Sequence, residues 1–347
     1  MIAKDREILK EFKQRRAKYK ELEQKAAEII DRIIADNNFF VMTVSHRTKE
    51  SDSLKGKLQR KSGKYNSLVD ITDLVGIRVI CYFNDTVDKI ARQLGNYFTI
   101  DWGNSIDKRA ALQDTQFGYM SLHYICYLPD NGEYDKSICG IPFEIQMRTV
   151  LQHTWAEIEH DLGYKSDFGV PRQIRRMFSQ VAGLLEVADR QFVEIRDHSE
   201  QYTLSIREKI KGGEGDSVYL DNISLREYLR INDQYLAFAA KIKNELGMDI
   251  ENIDPESYLE QLSWFGVESV GDLNKMFADN EEYIFGQLRE LVELYELDIV
   301  SSSTLLRHLC NGELIREGYS ATQMRKFLSI SIKDEKKLQR VIDRLMK

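Results

Sequence analysis

The sequence predicts an α+β protein: a mixed β-sheet domain flanked by helices, followed by an all-α C-terminal domain. Three observations carry this. Short apolar runs with strand character alternate with amphipathic stretches as far as about residue 165. From Pro171 onward only helical periodicity is left. A Gly-rich break, KGGEGD at 211–216, interrupts the helical part. The implied organisation is an N-terminal helix over 1–38, a sheet domain with trailing helices over 39–210, and a helical domain over 217–347.

In chain order, residues 4–36 keep Ile8, Phe12, Tyr19, Leu22, Ala26, Ile29 and Ile33 on one helical face. Phe39 to Val44 has strand character. A helix is expected from Lys49, where Lys49, Ser53, Lys57 and Arg60 share one face. Residues 70–83, DITDLVGIRVICYF, form an apolar strand with Asp73 at its entrance and Arg78 within it. Such charges are costly there unless paired or functional. A helix over 86–97 and a strand near 98–102 follow, then a polar irregular stretch over 103–117 and an alternating strand over 119–128. In the latter Tyr119, Ser121 and His123 share a side. The segment FEIQMRTVLQHTWAEIEHDLGYK (143–165) opens as a strand, with Phe143, Ile145 and Met147 on one face and Glu144, Gln146 and Arg148 on the other. It continues as a helix with Trp155, Ile158 and Leu162 as an apolar stripe. Beyond residue 217, helices are expected over 225–246, 255–262, 270–277, 281–297, 303–308, 321–328 and 335–346.

Composition narrows the function. A length of 347 residues suggests two domains, and a net charge of -7 argues against a general nucleic-acid coat. Four scattered cysteines without a CxxC pair read as reduced, buried thiols. A charged N-terminus and the lack of a long apolar run point to a cytoplasmic protein without membrane association. There is no P-loop and no kinase Gly-rich loop. The remaining polar constellation has a specific chemistry. Asp73 and Glu144 are hard oxygen ligands suited to Mg2+. Arg47, Lys49, Lys57 and Arg60 suit a polyphosphate. Tyr119 is a stacking platform, with His123 and Gln146 as polar neighbours. Taken singly, each of these residues has an ordinary structural explanation. A metal site from His153, Glu157 and His160 is weaker than packing, because the pattern is not HExxH.

Four ordered pieces, RTKESDSLKGK (47–57), DITDLVGIRVICYF (70–83), GYMSLH (118–123) and the 143–165 segment, resemble the synthetase domain of the RelA/SpoT alarmone synthetases, particularly the small single-domain ones. The resemblance implies a nucleotidyltransferase-like sheet and transfer of pyrophosphate from ATP to the 3′-hydroxyl of GDP or GTP, releasing AMP. It implies that Arg47 and Arg78 clasp adenine, and that Lys49, Ser53, Lys57 and Arg60 hold phosphates. By the same resemblance Asp73 and Glu144 would bind magnesium, and Glu144 would take the hydroxyl proton. Tyr119 would stack on the acceptor base, near Lys108, His123 and Gln146. One departure bears on the acceptor. Where many relatives carry a pattern like NPKxNGY, this chain has QDTQFGY, with Thr115 and Phe117. That form is similar to toxic small synthetases, some of which modify the 3′ CCA end of tRNA. A tRNA acceptor and a catalytically silent nucleotide sensor are therefore the rival readings. The helical domain is expected to serve as an oligomerisation surface, a regulatory cover or a binding module for a partner such as an antitoxin.

Overall fold

A computed structural model describes residues 3–107, 121–163 and 171–347. The chain divides into two compact units, Met1–Arg196 and Asp197–Lys347. The division falls within one long helix rather than at the glycine-rich break read from the sequence.

Unit 1 begins with α1 (Ala3–Asp36), β1 (Val41–Thr48), α2 (Ser51–Arg60), β2 (Val75–Cys81), α3 (Asn84–Leu94) and β3 (Thr99–Asp107). It continues with β4 (Leu122–Tyr127), the single-turn α4 (Lys136–Cys139), β5 (Phe143–Thr149), α5 (Val150–Gly163) and the first part of α6 (Arg172–Lys211). The sheet order is β1-β2-β5-β4-β3. Only the central β2–β5 pair is parallel; the other neighbours are antiparallel. Alternation along the strands separates the two faces. Ile77, Val79, Cys81, Phe143, Ile145 and Met147 are buried against Ile30 and Ile33 of α1, Leu54 and Leu58 of α2, and Ile90 of α3 in one core. Glu23 of α1 fixes β1 from the same side through His46 (2.9 Å) and Thr48.

Several boundaries differ from the expectations. β2 starts at Val75 because residues 68–70 form a 3-10 turn closed by a Ser67–Asp70 capping box, which leaves Asp73 in the turn before the strand. Lys49 precedes α2 and donates its backbone N–H to Leu74 O at 2.8 Å, so it does not share the helix with Ser53, Lys57 and Arg60. β3 runs on to Asp107, through the stretch expected to be irregular. Asp101 makes this possible by accepting the backbone N–H groups of Gly103 (3.0 Å) and Asn104 (3.1 Å) where the register shifts. On α5 only Trp155 of the expected stripe is buried, its N–H donating to Phe178 O at 3.1 Å. Ile158 and Leu162 are exposed, because α5 turns Gln152, Trp155 and Ala156 inward and packs on Ala182 and Phe178 of α6.

Unit 2 holds the rest of α6, then α7 (Asn222–Ile231), α8 (Asp233–Leu246), β6 (Asp249–Glu251), α9 (Leu259–Trp264) and α10 (Val270–Tyr295). β7 (Ile299–Ser301), α11 (Ser302–Arg316), α12 (Ala321–Leu328) and α13 (Glu335–Leu345) complete it. Where one helix was expected over 225–246, Asn232 adopts an extended backbone. Its side chain accepts from Tyr235 N at 3.1 Å, which ends α7 and caps α8. The two helices expected over 270–297 are the single α10, opened by a Ser269–Asp272 capping box. β6 and β7 pair in parallel, a small exception to an otherwise helical unit. Tyr228, Tyr235, Phe238 and Phe277 form the aromatic centre of its core. All four cysteines are free and buried.

Ile145 lies fully buried at the middle of the central strand. Ile145→Ala should destabilise unit 1 by about 2–5 kcal/mol, read as a lowered urea midpoint. Asn232→Ala, which removes a cap, should cost only about 1 kcal/mol.

Candidate active site

The polar face of the sheet carries the site, and the strand register builds it. One cross-strand row places Ser45, Arg78, Gln146 and His123 side by side on β1, β2, β5 and β4. The next row places Arg47, Gly76 and Glu144 together. Gly76 lies between Arg47 and Glu144, and a Cβ there would meet nothing within 4 Å. The missing side chain leaves a gap in the row, which is part of a cavity of about 220 Å³. Arg47, Lys49, Asp73, Arg78, Glu144 and Gln146 line that cavity. A second cavity, of about 660 Å³, shares Arg47, Lys49 and Asp73 and extends along α2 past Ser53, Lys57 and Arg60.

Its electrostatics are organised around two carboxylates. Asp73 Oδ2 takes Lys49 Nζ at 2.7 Å, and Oδ1 lies 2.7 Å from Lys57 Nζ. Partial burial pushes the Asp73 carboxyl up, but the two ammonium groups outweigh it and hold the group below the usual carboxylate range. Glu144 has the same balance: burial raises it, and the His123 and Gln146 contacts bring it below its ordinary value. Asp73 acts on Glu144 as a like charge, opposing its ionisation. Glu144 Oε1 lies 2.7 Å from His123 Nδ1, and its Oε2 accepts from Gln146 Nε2 at 2.9 Å. His123 Nε2 in turn lies 2.6 Å from Ser121 Oγ. Two ionised carboxylates facing one cavity, with room beside them for oxygen ligands, fit a hard divalent cation such as magnesium.

Arg47, Lys49, Ser53, Lys57, Arg60, Asp73, Arg78, Glu144 and Gln146 therefore come together in two adjoining cavities. His123 reaches the site through Glu144. Lys108 and Tyr119, with Thr115 and Phe117 of QDTQFGY, lie outside the described residues. Three contributors escape a reading by motif. Gly76 supplies space rather than a group. Ser121 supports His123, and alternation with His123 is its only signal. Glu157, exposed on α5, offers Oε1 to Arg78 at 3.3 Å, with Arg148 and His153 each at 3.5 Å. The sequence places it near one helical face with His153 and His160, where packing or hydrogen bonding is preferred to a metal; its partners are Arg78, Arg148 and His153.

Replacing Gly76 with Val should leave stability near that of the wild type, because the position is open. It should sharply weaken binding of a nucleotide such as ATP, measured by calorimetry. Asp73 also has an acid-range signature. Its folded carboxyl lies below the unfolded value, so its contribution is present above the unfolded pKa and is lost as pH falls through the folded one. Asp73→Asn should lower the melting temperature at pH 7, where Lys49 and Lys57 lose their shared counter-charge. The difference should narrow as pH falls below the ordinary carboxylate range.

Comparison with known proteins bears on the same residues. The family model described as the region found in RelA / SpoT proteins matches residues 46–168. GTP pyrophosphokinase YjbM of Bacillus subtilis (strain 168) is 26% identical over 185 residues, covering 52% of this chain and 83% of its own. GTP pyrophosphokinase YwaC of the same organism is 28% identical over 158 residues, covering 43% and 71%. Small alarmone synthetase 1 of Bacillus subtilis, a solved structure, aligns with 23% identity and a TM-score of 0.46 over 55% of this chain and 99% of that one. Residues 46–168 thus match the region found in RelA / SpoT proteins, and the chain is similar to two proteins named GTP pyrophosphokinase.

Proposed function

We propose that the protein is an ATP-dependent pyrophosphokinase that transfers the β,γ-pyrophosphate of ATP to the 3′-hydroxyl of GDP or GTP. The observation that carries this reading is the pair of adjoining cavities: the cations Arg47, Lys49, Lys57, Arg60, Lys61 and Arg78 share them with the carboxylates Glu50, Asp52, Asp73 and Glu144. That arrangement suits a triphosphate lying along α2 with its base toward Arg47 and Arg78. The homology to proteins named GTP pyrophosphokinase supports guanosine nucleotides as acceptors.

In this reading Lys49 and Lys57, paired with Asp73 in the absence of substrate, turn toward phosphate oxygens. Arg47 and Arg78 clasp the adenine. Magnesium, held by Asp73 and Glu144, would neutralise phosphate charge when bound. The acceptor 3′-oxygen bonds to the β-phosphorus, the bond from that phosphorus to the α–β bridging oxygen breaks, and AMP leaves with the electron pair. Glu144 accepts the hydroxyl proton, oriented by His123 and Gln146. Most of the rate enhancement is positioning and charge neutralisation. The tRNA reading rests on QDTQFGY, and the relatives' names lend it no support.

Labelled ATP with GDP or GTP should yield a labelled guanosine product and stoichiometric AMP. Glu144→Gln should lower turnover by about 100-fold or more, and Asp73→Asn should lower it and weaken the magnesium dependence. Offering GTP and deacylated tRNA together decides the acceptor. Label in tRNA alone sinks the guanosine reading.

A further inference from the structure

Asp189 lies on α6, outside the two cavities of the candidate site but on the wall of a separate one, and is 3% exposed. Its Oδ2 accepts from Thr149 Oγ1 at 2.8 Å and from Gln152 Nε2 at 3.3 Å, while Oδ1 is buried without a hydrogen-bond partner. Thr149 and Gln152 also bond to each other twice. Gln152 N donates to Thr149 Oγ1, and Thr149 N donates to Gln152 Oε1, both at 3.1 Å. The result is a closed ring joining α6 to the last residue of β5 and the first turn of α5. Both elements carry groups of the site. β5 presents Glu144 and Gln146, and α5 presents Glu157 to Arg78 and Arg148.

We propose that Asp189 is a positioning residue: from α6 it locks the β5–α5 junction through Thr149 and Gln152, and thereby sets where Glu157 holds Arg78 at the wall of the nucleotide cavity. A carboxylate is an expensive way to fill a buried position. Burial pushes this one up to about 6, and the Thr149 and Gln152 donors offset only part of the rise. The other ionisable groups lining that cavity are Asp85 and Asp88 of α3, with Glu186 and Arg190 of α6. Arg190 lies 3.7 Å from Glu186, and Asp85 is engaged by Lys89 at 2.7 Å and Arg196 at 2.9 Å. A leucine would fill the space without the cost. The acid is explained by its acceptor function at a junction whose two backbone directions matter.

The inference rests on the reading of this cavity as the ATP site, and one binding series separates the two. Wild-type protein should bind α,β-methylene-ATP with magnesium; no binding at millimolar ligand defeats that reading. Given wild-type binding, Asp189→Ala should weaken affinity roughly two- to fivefold, the size of a lost exposed ion pair. Glu157→Gln should do the same, and the double variant should be no weaker than Asp189→Ala alone. Asp189→Asn, whose amide oxygen still accepts from Thr149 and Gln152, should bind as wild type. A folded Asp189→Ala protein with unchanged affinity, or additive losses in the double variant, overturns the proposal. Should Asp189→Ala fail to fold, Thr149→Val carries the same test from the other side of the ring. A separate stability readout has a definite sign. The native state holds the Asp189 proton more tightly than the unfolded chain, so ionisation opposes folding as pH rises through about 6. Asp189→Asn should therefore gain melting temperature over wild type between pH 5 and pH 8. A gap that stays constant over that range contradicts a titrating Asp189 in the ring.

Discussion

The parallel pairing of β2 with β5 is the constraint on which the site depends. Antiparallel neighbours can be joined by a short turn, but a parallel pair needs a long crossover. Here α3, β3 and β4 fill that crossover, and the last two return to extend the same sheet. The parallel register sets Gly76 beside Glu144 and Arg78 beside Gln146. A slip of one residue would turn every one of these side chains into the core and expose Ile77 and Ile145 in their place. The apolar face of the same strands prevents that slip, so the packing that stabilises unit 1 also aligns its polar groups.

Charge is arranged with comparable economy. Asp73 and Glu144 are partly buried carboxylates, and each is kept ionised by a different device. Two lysines from separate segments converge on Asp73. Glu144 relies on an imidazole and an amide from its own sheet face. The first arrangement is labile by nature, since an ammonium group on a flexible stem exchanges one anion for another readily. The second is more rigid, because His123 is itself held by Ser121. In the proposed function, a mobile cation set on one side would receive the triphosphate and a fixed carboxylate on the other would place the acceptor oxygen. Away from the cavity, the ring of Thr149, Gln152 and Asp189 applies similar control to the junction that follows β5.

Much of this was legible in the chain. The alternation of FEIQMR put Glu144, Gln146 and Arg148 on one face, and they are there. The motif pieces collected the cations, and all six residues expected at ATP line the two adjoining cavities. The misplacements have local causes. Lys49 left the helix because its backbone N–H is used by Leu74, and one expected helix became α7 and α8 because Asn232 caps rather than continues. Ile158 and Leu162 keep helical spacing but face away from α6. Periodicity identifies a stripe; it does not say which neighbour will cover it.

The sequence by itself determined the class of fold, the ordered RelA/SpoT motifs and the set of charged residues available for chemistry, because these follow from composition and short-range spacing. Only the tertiary structure decided who pairs with whom. The partnership of Asp73 with Lys49 and Lys57, the meeting of Glu157 with Arg78 and the buried ring at Asp189 join residues up to 79 positions apart. Strand register and helix packing set such contacts, and no local pattern in the chain encodes them.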